Sequence, residues 1–170
     1  MVRKLIVVLL MLLLLNACGA ETEPTMEYVE DGLLDVGSEP YAIVVAVPED
    51  VVQETFGEAG MNCCYEAADG SYSIITEVMH ATTVDAGIET ISGIPADQLQ
   101  ILTLNRLPMT EHHFAWASSG EEGDTVSRCA LIESEDYYYV LTMTQQAGAD
   151  LQELAETVFS SFHLGVDETV

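Results

Sequence analysis

The second half of the chain constrains the fold most. Between residues 99 and 144 four short runs follow one another: "LQILTLNRL", "EHHFAWAS", "TVSRCALI" and "YYYVLTMT". Each is rich in β-branched, aromatic and apolar residues, which fit a pleated surface better than a long helix. Their links carry Pro108, "SGEEGD" and "ESED", which are turn compositions. Strands joined by such short links fold back on themselves, so an antiparallel meander is predicted. The next segment, "ADLQELAETVFSSF", repeats Leu151, Leu154, Ala155, Val158, Phe159 and Phe162 at helical spacing. Asp150 and Glu153 suit a capping-box-like start for that helix. An apolar helical stripe after a sheet must be buried against it. The expected class is therefore α+β, an antiparallel meander of about six to seven strands with helices packed on it.

Upstream, "YAIVVAV" between Pro40 and Pro48 reads as a buried strand. "PEDVVQETFG" then predicts a short helix: Pro48 suits a first turn, Val51, Val52, Thr55 and Phe56 share one side, and Gly57 supplies a stop. "NCCYEAADGSYSIITEVM" sets Asp69-Gly70 between two strand-like runs, a strong hairpin signal. "TTVDAGIETISG" returns to helical spacing through Val84, Ile88 and Ile91, with a threonine start and Gly93 at the end.

The amino terminus carries a different message. Arg3 and Lys4 precede an unbroken apolar run from Leu5 to Leu15, the layout of a secretory signal. As a helix rising ~1.5 Å per residue that run spans roughly 16 Å, about half of a ~30 Å hydrocarbon layer. It is too short to remain as a membrane span. Leu15-Asn16-Ala17-Cys18 follows directly and resembles the lipobox of bacterial lipoproteins. The resemblance implies that the Cys18 thiol takes a diacylglyceryl group by thioether linkage and that a lipoprotein signal peptidase cuts between Ala17 and Cys18. Two or more acyl chains of the palmitate kind then hold the protein firmly to the membrane, where one holds only reversibly. The expected location is extracytoplasmic, lipid-anchored to the bacterial cell membrane.

The implied division is a signal peptide over 1–17, lipidated Cys18 and an acidic flexible tether to residue 40, a single globular domain over 41–164, and a disordered tail over 165–170. The tether, "GAETEPTMEYVEDGLLDVGSEP", is acidic and rich in Gly, Thr and Pro. About 20 such residues reach roughly 25 Å. Leu33, Leu34 and Val36 are candidates to dock its far end on the domain.

Charge narrows the partners. The chain holds four basic and 29 acidic residues, and Arg3 and Lys4 leave with the signal, so the mature chain has Arg106 and Arg128 against all 29 acids. Its net charge of −27 repels phosphate backbones, and nucleic acid is not expected as a partner. Cationic ligands and basic protein faces remain compatible with it, as does a plain role in solubility.

Three cysteines accompany Cys18: Cys63, Cys64 and Cys129. A bond between the adjacent pair is strained, because neighbouring Cα atoms lie ~3.8 Å apart and disulfides favour ~4.4–6.8 Å. The alternatives are one disulfide from Cys63 or Cys64 to Cys129, or buried free thiols. His112-His113 invites a metal reading with His80 and the cysteines, but consecutive residues on a strand point to opposite faces. The close ligand pairs of zinc sites do not occur. A Cys–His nucleophilic pair is formally available, yet no catalytic signature names the nucleophile, and no G-x-S-x-G or phosphate-cradling loop occurs. No cofactor is expected. The acid runs at Glu121, Glu122 and Asp124 and at Glu133, Glu135 and Asp136 lack the EF-hand pattern and read as solvated turns. Tyr137, Tyr138, Tyr139, Phe114 and Trp116 split across both faces of their strands, and their outer half is the candidate interaction patch.

A tyrosine-rich strand, a loop and an amphipathic helix ending in Ser161-Phe162 resemble the carboxy-terminal half of the PsbP-like families, relatives of the oxygen-evolving-complex subunit P of photosystem II. The "YAIVVAVPED" strand and the "TTVDAGIETI" helix stand in compatible positions, so the resemblance covers roughly residues 41 to 164. It implies an antiparallel sheet between helices in proteins that bind, scaffold or assist assembly, and it transfers no site residues. A cystatin-like sheet-and-helix fold is the alternative. The leading functional expectation is a non-catalytic lipoprotein domain that binds or helps assemble another extracytoplasmic protein. A small-ligand or cation-binding lipoprotein, which requires a pocket or converging acids, is the second. A thiol-dependent enzyme is the third.

Overall fold

The computed structural model describes residues 24–31, 41–57, 62–106, 109–121, 123–134 and 137–166. The apolar run, Cys18, and Leu33, Leu34 and Val36 lie outside the described residues. The elements run in the order β1 (Met26–Asp31), β2 (Tyr41–Pro48), β3 (Val51–Phe56), β4 (Asn62–Ala67), β5 (Tyr72–Met79), α1 (Val84–Ser92), a 3₁₀ turn (Ala96–Gln98), β6 (Leu102–Arg106), β7 (Met109–Gly120), β8 (Gly123–Ser134), β9 (Tyr137–Gln146), α2 (Gln152–Ser161) and β10 (His163–Val166). They build an α+β fold with a seven-stranded sheet in the order β3-β4-β5-β9-β8-β7-β6 and a three-stranded sheet in the order β1-β2-β10. Strand pairing is antiparallel throughout.

The four late strands form the expected meander, and β5 joins its far side along β9. Alternation along these strands gives the large sheet two apolar faces. On one, Cys63, Tyr65, Ile74, Val78, Ala130, Ile132, Tyr139, Leu141 and Met143 pack against Ile43, Val45 and Val47 of β2 and Ala155, Val158 and Phe162 of α2. On the other, Phe114, Cys129, Leu131, Tyr138 and Val140 receive Ile88 of α1. The two helices therefore cover opposite faces. Each large side chain so buried contributes about 1.5–3 kcal/mol before entropy is subtracted.

Named side chains and glycines set several element ends. Thr83 accepts the Ala86 N–H at 3.2 Å and caps α1, while Gly93 ends it with a left-handed φ of 70°. Gly70, with the same φ of 70°, turns the β4–β5 hairpin as Asp69-Gly70 predicts. At the end of α2, Ser161 Oγ accepts the Ala46 N–H of β2 at 2.8 Å, just past the place where β10 leaves that strand.

Several expectations need correction. "VVQETF" is strand β3, paired with β4 from Val51↔Ala67 to Phe56↔Asn62. The six residues are too few to nucleate a helix, and β-branched Val51, Val52 and Thr55 gain a full ladder as an added strand. Residues 26–31, assigned to a flexible tether, form β1 on the free edge of β2. Acidic composition concealed a strand that sends Asp31 inward: its carboxylate is buried and accepts the Tyr65 hydroxyl at 2.7 and 2.9 Å and the Thr76 hydroxyl at 2.7 Å. The domain also runs past residue 164, because Gly165 and Val166 pair with Ala42 and Tyr41. The start of α2 has Leu151 at its cap with no side-chain bond, so the Asp150–Glu153 capping box does not form. Asp150 instead faces a surface groove.

Candidate functional site

The cysteines separate across the sheet. Cys63 faces the α2 side and Cys129 the α1 side, which excludes a bond between them. Cys64 and Cys129 share one cross-strand row through Ile75 and Thr142. Three strand spacings of ~4.8 Å set them about 14 Å apart, twice the reach of a disulfide. All three are free thiols, and the expected Cys63-or-Cys64 bridge to Cys129 is not made. Burial is the largest cause pushing each thiol upward, to about 12 for Cys129. Such groups stay protonated near neutrality and are poor nucleophiles.

The histidines also part. His113 Nε2 donates to the Glu111 carboxylate at 2.7 Å on the α2 face, while His112 meets Thr103 at 3.1 Å with its Nδ1. Among the described residues no group of three or more His, Cys, Asp or Glu comes together as a metal site. The aromatic patch needs correction too. Phe114, Tyr138 and Tyr139 are core residues, Tyr139 meets Tyr41 edge-on at 6.0 Å, and Tyr137 packs on His80 at 4.2 Å. Trp116 is half-buried and stacks on Phe114 at 5.7 Å. Two packed faces leave no outward row for these rings, because α1 covers the side that would otherwise be wet.

Among the described residues two concave places stand out on the surface. The larger is a groove of about 700 Å³ where three turns meet. Asp50 comes from the β2–β3 turn, Asp69 from the β4–β5 turn, and Asp150 and Glu153 from the start of α2. Tyr72, Leu151 and Leu154 supply its less polar lining. Burial, with Asp50 and Asp69 nearby, pushes the Tyr72 phenol up to about 12, so it remains a neutral donor. Hydrogen bonds from Ser71 hold Asp69 below the ordinary carboxylate range. The groove thus presents four carboxyl side chains around an apolar floor, an arrangement that suits an ammonium or guanidinium group on a hydrocarbon stem. Sequence reasoning overlooked it because the acids come from three segments far apart in the chain.

The smaller place is a cleft of about 370 Å³ between α2 and the outer edge of the large sheet. His113, Ala115 and Arg128 line it from the strands, Ala155, Glu156 and Phe159 from α2, and Gln100 from the segment leading into β6.

With this geometry in view, comparison with solved structures is informative about the fold. The solution structure of cyanobacterial PsbP (CyanoP) from Synechocystis sp. PCC 6803 superposes with a TM-score of 0.59, covering 88% of this chain and 98% of that one at 11% sequence identity. The fold is PsbP-like. A crystal structure from Bacteroides thetaiotaomicron gives a TM-score of 0.49 at 11% identity, covering 72% of this chain and 45% of that one. No protein-family model and no curated protein matches the sequence. At such identity the PsbP-like likeness describes the path of the chain, and the groove and cleft belong to this protein's own side chains.

Proposed function

We propose that this chain is an extracytoplasmic lipoprotein, held to the bacterial membrane through Cys18, whose PsbP-like domain acts without catalysis by binding a protein with a basic face. The observation that carries the reading is the groove of Asp50, Asp69, Asp150 and Glu153 around Leu151 and Leu154. A partner's lysine or arginine lays its methylenes on the leucines and its charge among the carboxylates. Thiols kept protonated by burial weigh against a thiol-dependent enzyme. Support for the anchor comes from Leu15-Asn16-Ala17-Cys18 after a short apolar run.

The test compares the intact lipidated protein with a variant carrying Asp50→Asn, Asp69→Asn, Asp150→Asn and Glu153→Gln in capture experiments from native membranes. The native protein is expected to retain a partner that moderate salt releases, and the variant to lose it. Equal capture by both would overturn the assignment of the groove. A second reading, a small cationic ligand in place of a protein face, draws on the groove volume, which lies within the ~300–1,000 Å³ of small-molecule sites. Calorimetric titration with spermine separates the two: saturable heat that the variant abolishes favours the small ligand, and no heat favours the protein face.

A further inference from the structure

Strand β7 is twelve residues long, but β6 pairs with less than half of it, from Arg106↔Met109 to Leu102↔His113. Among the described residues no strand pairs with the outer side of β7 beyond His113, and Ala115, Ala117, Ser118, Ser119 and Gly120 are exposed. Hairpin geometry shows which backbone groups are open. Two residues separate Gly120 from its partner Gly123, so that pair closes the β7–β8 turn with mutual hydrogen bonds, and alternate pairs back to Phe114↔Cys129 do the same. The N–H and C=O groups of the intervening Ala115, Ala117 and Ser119 therefore point away from β8. The β6–β7 hairpin has the same parity, with two residues between Arg106 and Met109. An edge of this kind is normally protected by charge, proline or a bulge, yet "AWASSG" carries none of these.

The open stretch is closed at one end. A strand added antiparallel to β7 lies in line with β6 and runs towards Leu102, which already occupies the place opposite His113. Its carboxy-terminal end therefore meets the start of β6, beside the cleft that Gln100, Ala115, Arg128, Glu156 and Phe159 line, where the Glu156 carboxylate accepts from Gln152 at 2.9 Å. Arg128 is the cation there. It lies across from Ala115, whose methyl group leaves the way to the edge clear, and among the described residues no carboxylate pairs with it. In a mature chain with two arginines against 29 acids, an uncommitted guanidinium at the closed end of an open edge marks a place for an anion. The neighbouring His113 is already engaged by Glu111. At the other end, Asp124 lies opposite Ser119 and Glu121 begins the turn, which favours a basic residue upstream in the ligand.

We propose that the exposed edge of β7 takes the carboxy-terminal residues of a partner protein as an added antiparallel strand, with the terminal carboxylate on Arg128 and a basic residue several positions upstream facing Glu121 and Asp124. The backbone supplies affinity and the closed end supplies the requirement for a free chain end. A second copy pairing edge to edge is disfavoured by the repulsion of two −27 chains. The site lies apart from the acid-lined groove, so the failure of either assignment leaves the other standing.

The test uses the intact mature protein in detergent and two randomised hexapeptide mixtures, one with free carboxyl ends and one amidated. Enrichment of peptides from the free-acid mixture alone is expected, with basic residues near their amino ends. For an enriched peptide, emission from Trp116, the single tryptophan of the chain and a β7 residue, should report binding. Its amide should bind roughly tenfold or more weakly, as expected for loss of a charge-assisted bond. Arg128→Gln should remove most of that difference. Ala117→Pro should abolish binding of acid and amide alike while leaving the β7–β8 ladder intact, because the lost N–H points outward. Enrichment from neither mixture, equal affinity of acid and amide, or undiminished binding by Ala117→Pro would each overturn the proposal.

Discussion

Single residues carry more than their composition suggests. Asp31 is a carboxylate inside the domain, and its stability there rests on the hydroxyls of Tyr65 and Thr76. Tyr65→Phe should destabilise the domain by about 1–3 kcal/mol, since it removes a charge-assisted bond from a buried acceptor. Chemical denaturation with the midpoint followed by circular dichroism measures this, and an unchanged midpoint would remove Asp31 from the core. Glu77 of β5 poses the opposite problem, because burial raises its pKa with no compensating cause. Its folded pKa exceeds the unfolded one, so the folded state holds more protons in that window and stability falls as pH rises through it. Glu77→Gln should therefore raise the melting temperature at neutral pH, and the gain should vanish below the ordinary glutamate pKa. The thiols give a third expectation: alkylation in the folded state should reach half-buried Cys64 before Cys63, and Cys129 only after unfolding.

At the level of elements, α2 is the most heavily used. Ala155, Val158 and Phe162 enter the core between the two sheets, and Ser161 binds the backbone of β2. Val158 is fully buried whereas Phe159 is half-buried beside His113, with ring centres 6.5 Å apart. Val158→Asp should cost roughly 3–5 kcal/mol, enough to unfold a domain of ordinary stability, through an unpaired buried charge. Phe159→Asp should cost less. A protease-resistance series on the two variants checks the order, and equal losses would mean that α2 is rotated from this placement. Helix α1 illustrates how strongly local signals can hold, since Thr83 and Gly93 perform the capping that their types suggest. By contrast α2 begins without a side-chain cap, so packing is what holds its first turn.

The whole molecule is dominated by one sign of charge. A chain with 29 acidic and four basic residues, a net charge of −25, repels itself when compact, and added salt screens that repulsion. Its melting temperature should rise between low and moderate sodium chloride, measured by calorimetry. A melting point that does not move with salt would show that the acids are too dispersed to matter. On the proposed lipoprotein reading, Cys18→Ala should move the protein from the membrane to the soluble fraction of its host, and mass spectrometry of the native form should find acyl chains on Cys18 after removal of residues 1–17. The acid-lined groove and the edge of β7 lie on different parts of such a tethered body, one suited to basic side chains and the other to a chain end.

What the sequence determined by itself was whatever a few neighbouring residues can decide. The late meander, the Asp69-Gly70 hairpin, the capped α1 helix and the apolar stripe of α2 all rest on contacts within a turn or on a period along one element. Tertiary structure alone decided the rest. β1 and β3 are strands because another strand offers its edge, and nothing in "MEYVED" or "VVQETF" registers that neighbour. The tyrosines and Phe114 became core because helices cover both faces of the large sheet, so alternation no longer separates an inside from an outside. The cysteines lost their bridge to the width of two intervening strands. Asp50 reads as part of a short helix, Asp69 as a hairpin turn and Asp150 as a helix cap until the fold gathers them into one groove. Local preferences act over a few residues, whereas a binding site is a coincidence of segments far apart in the chain, and it exists only once burial of the core has fixed their positions.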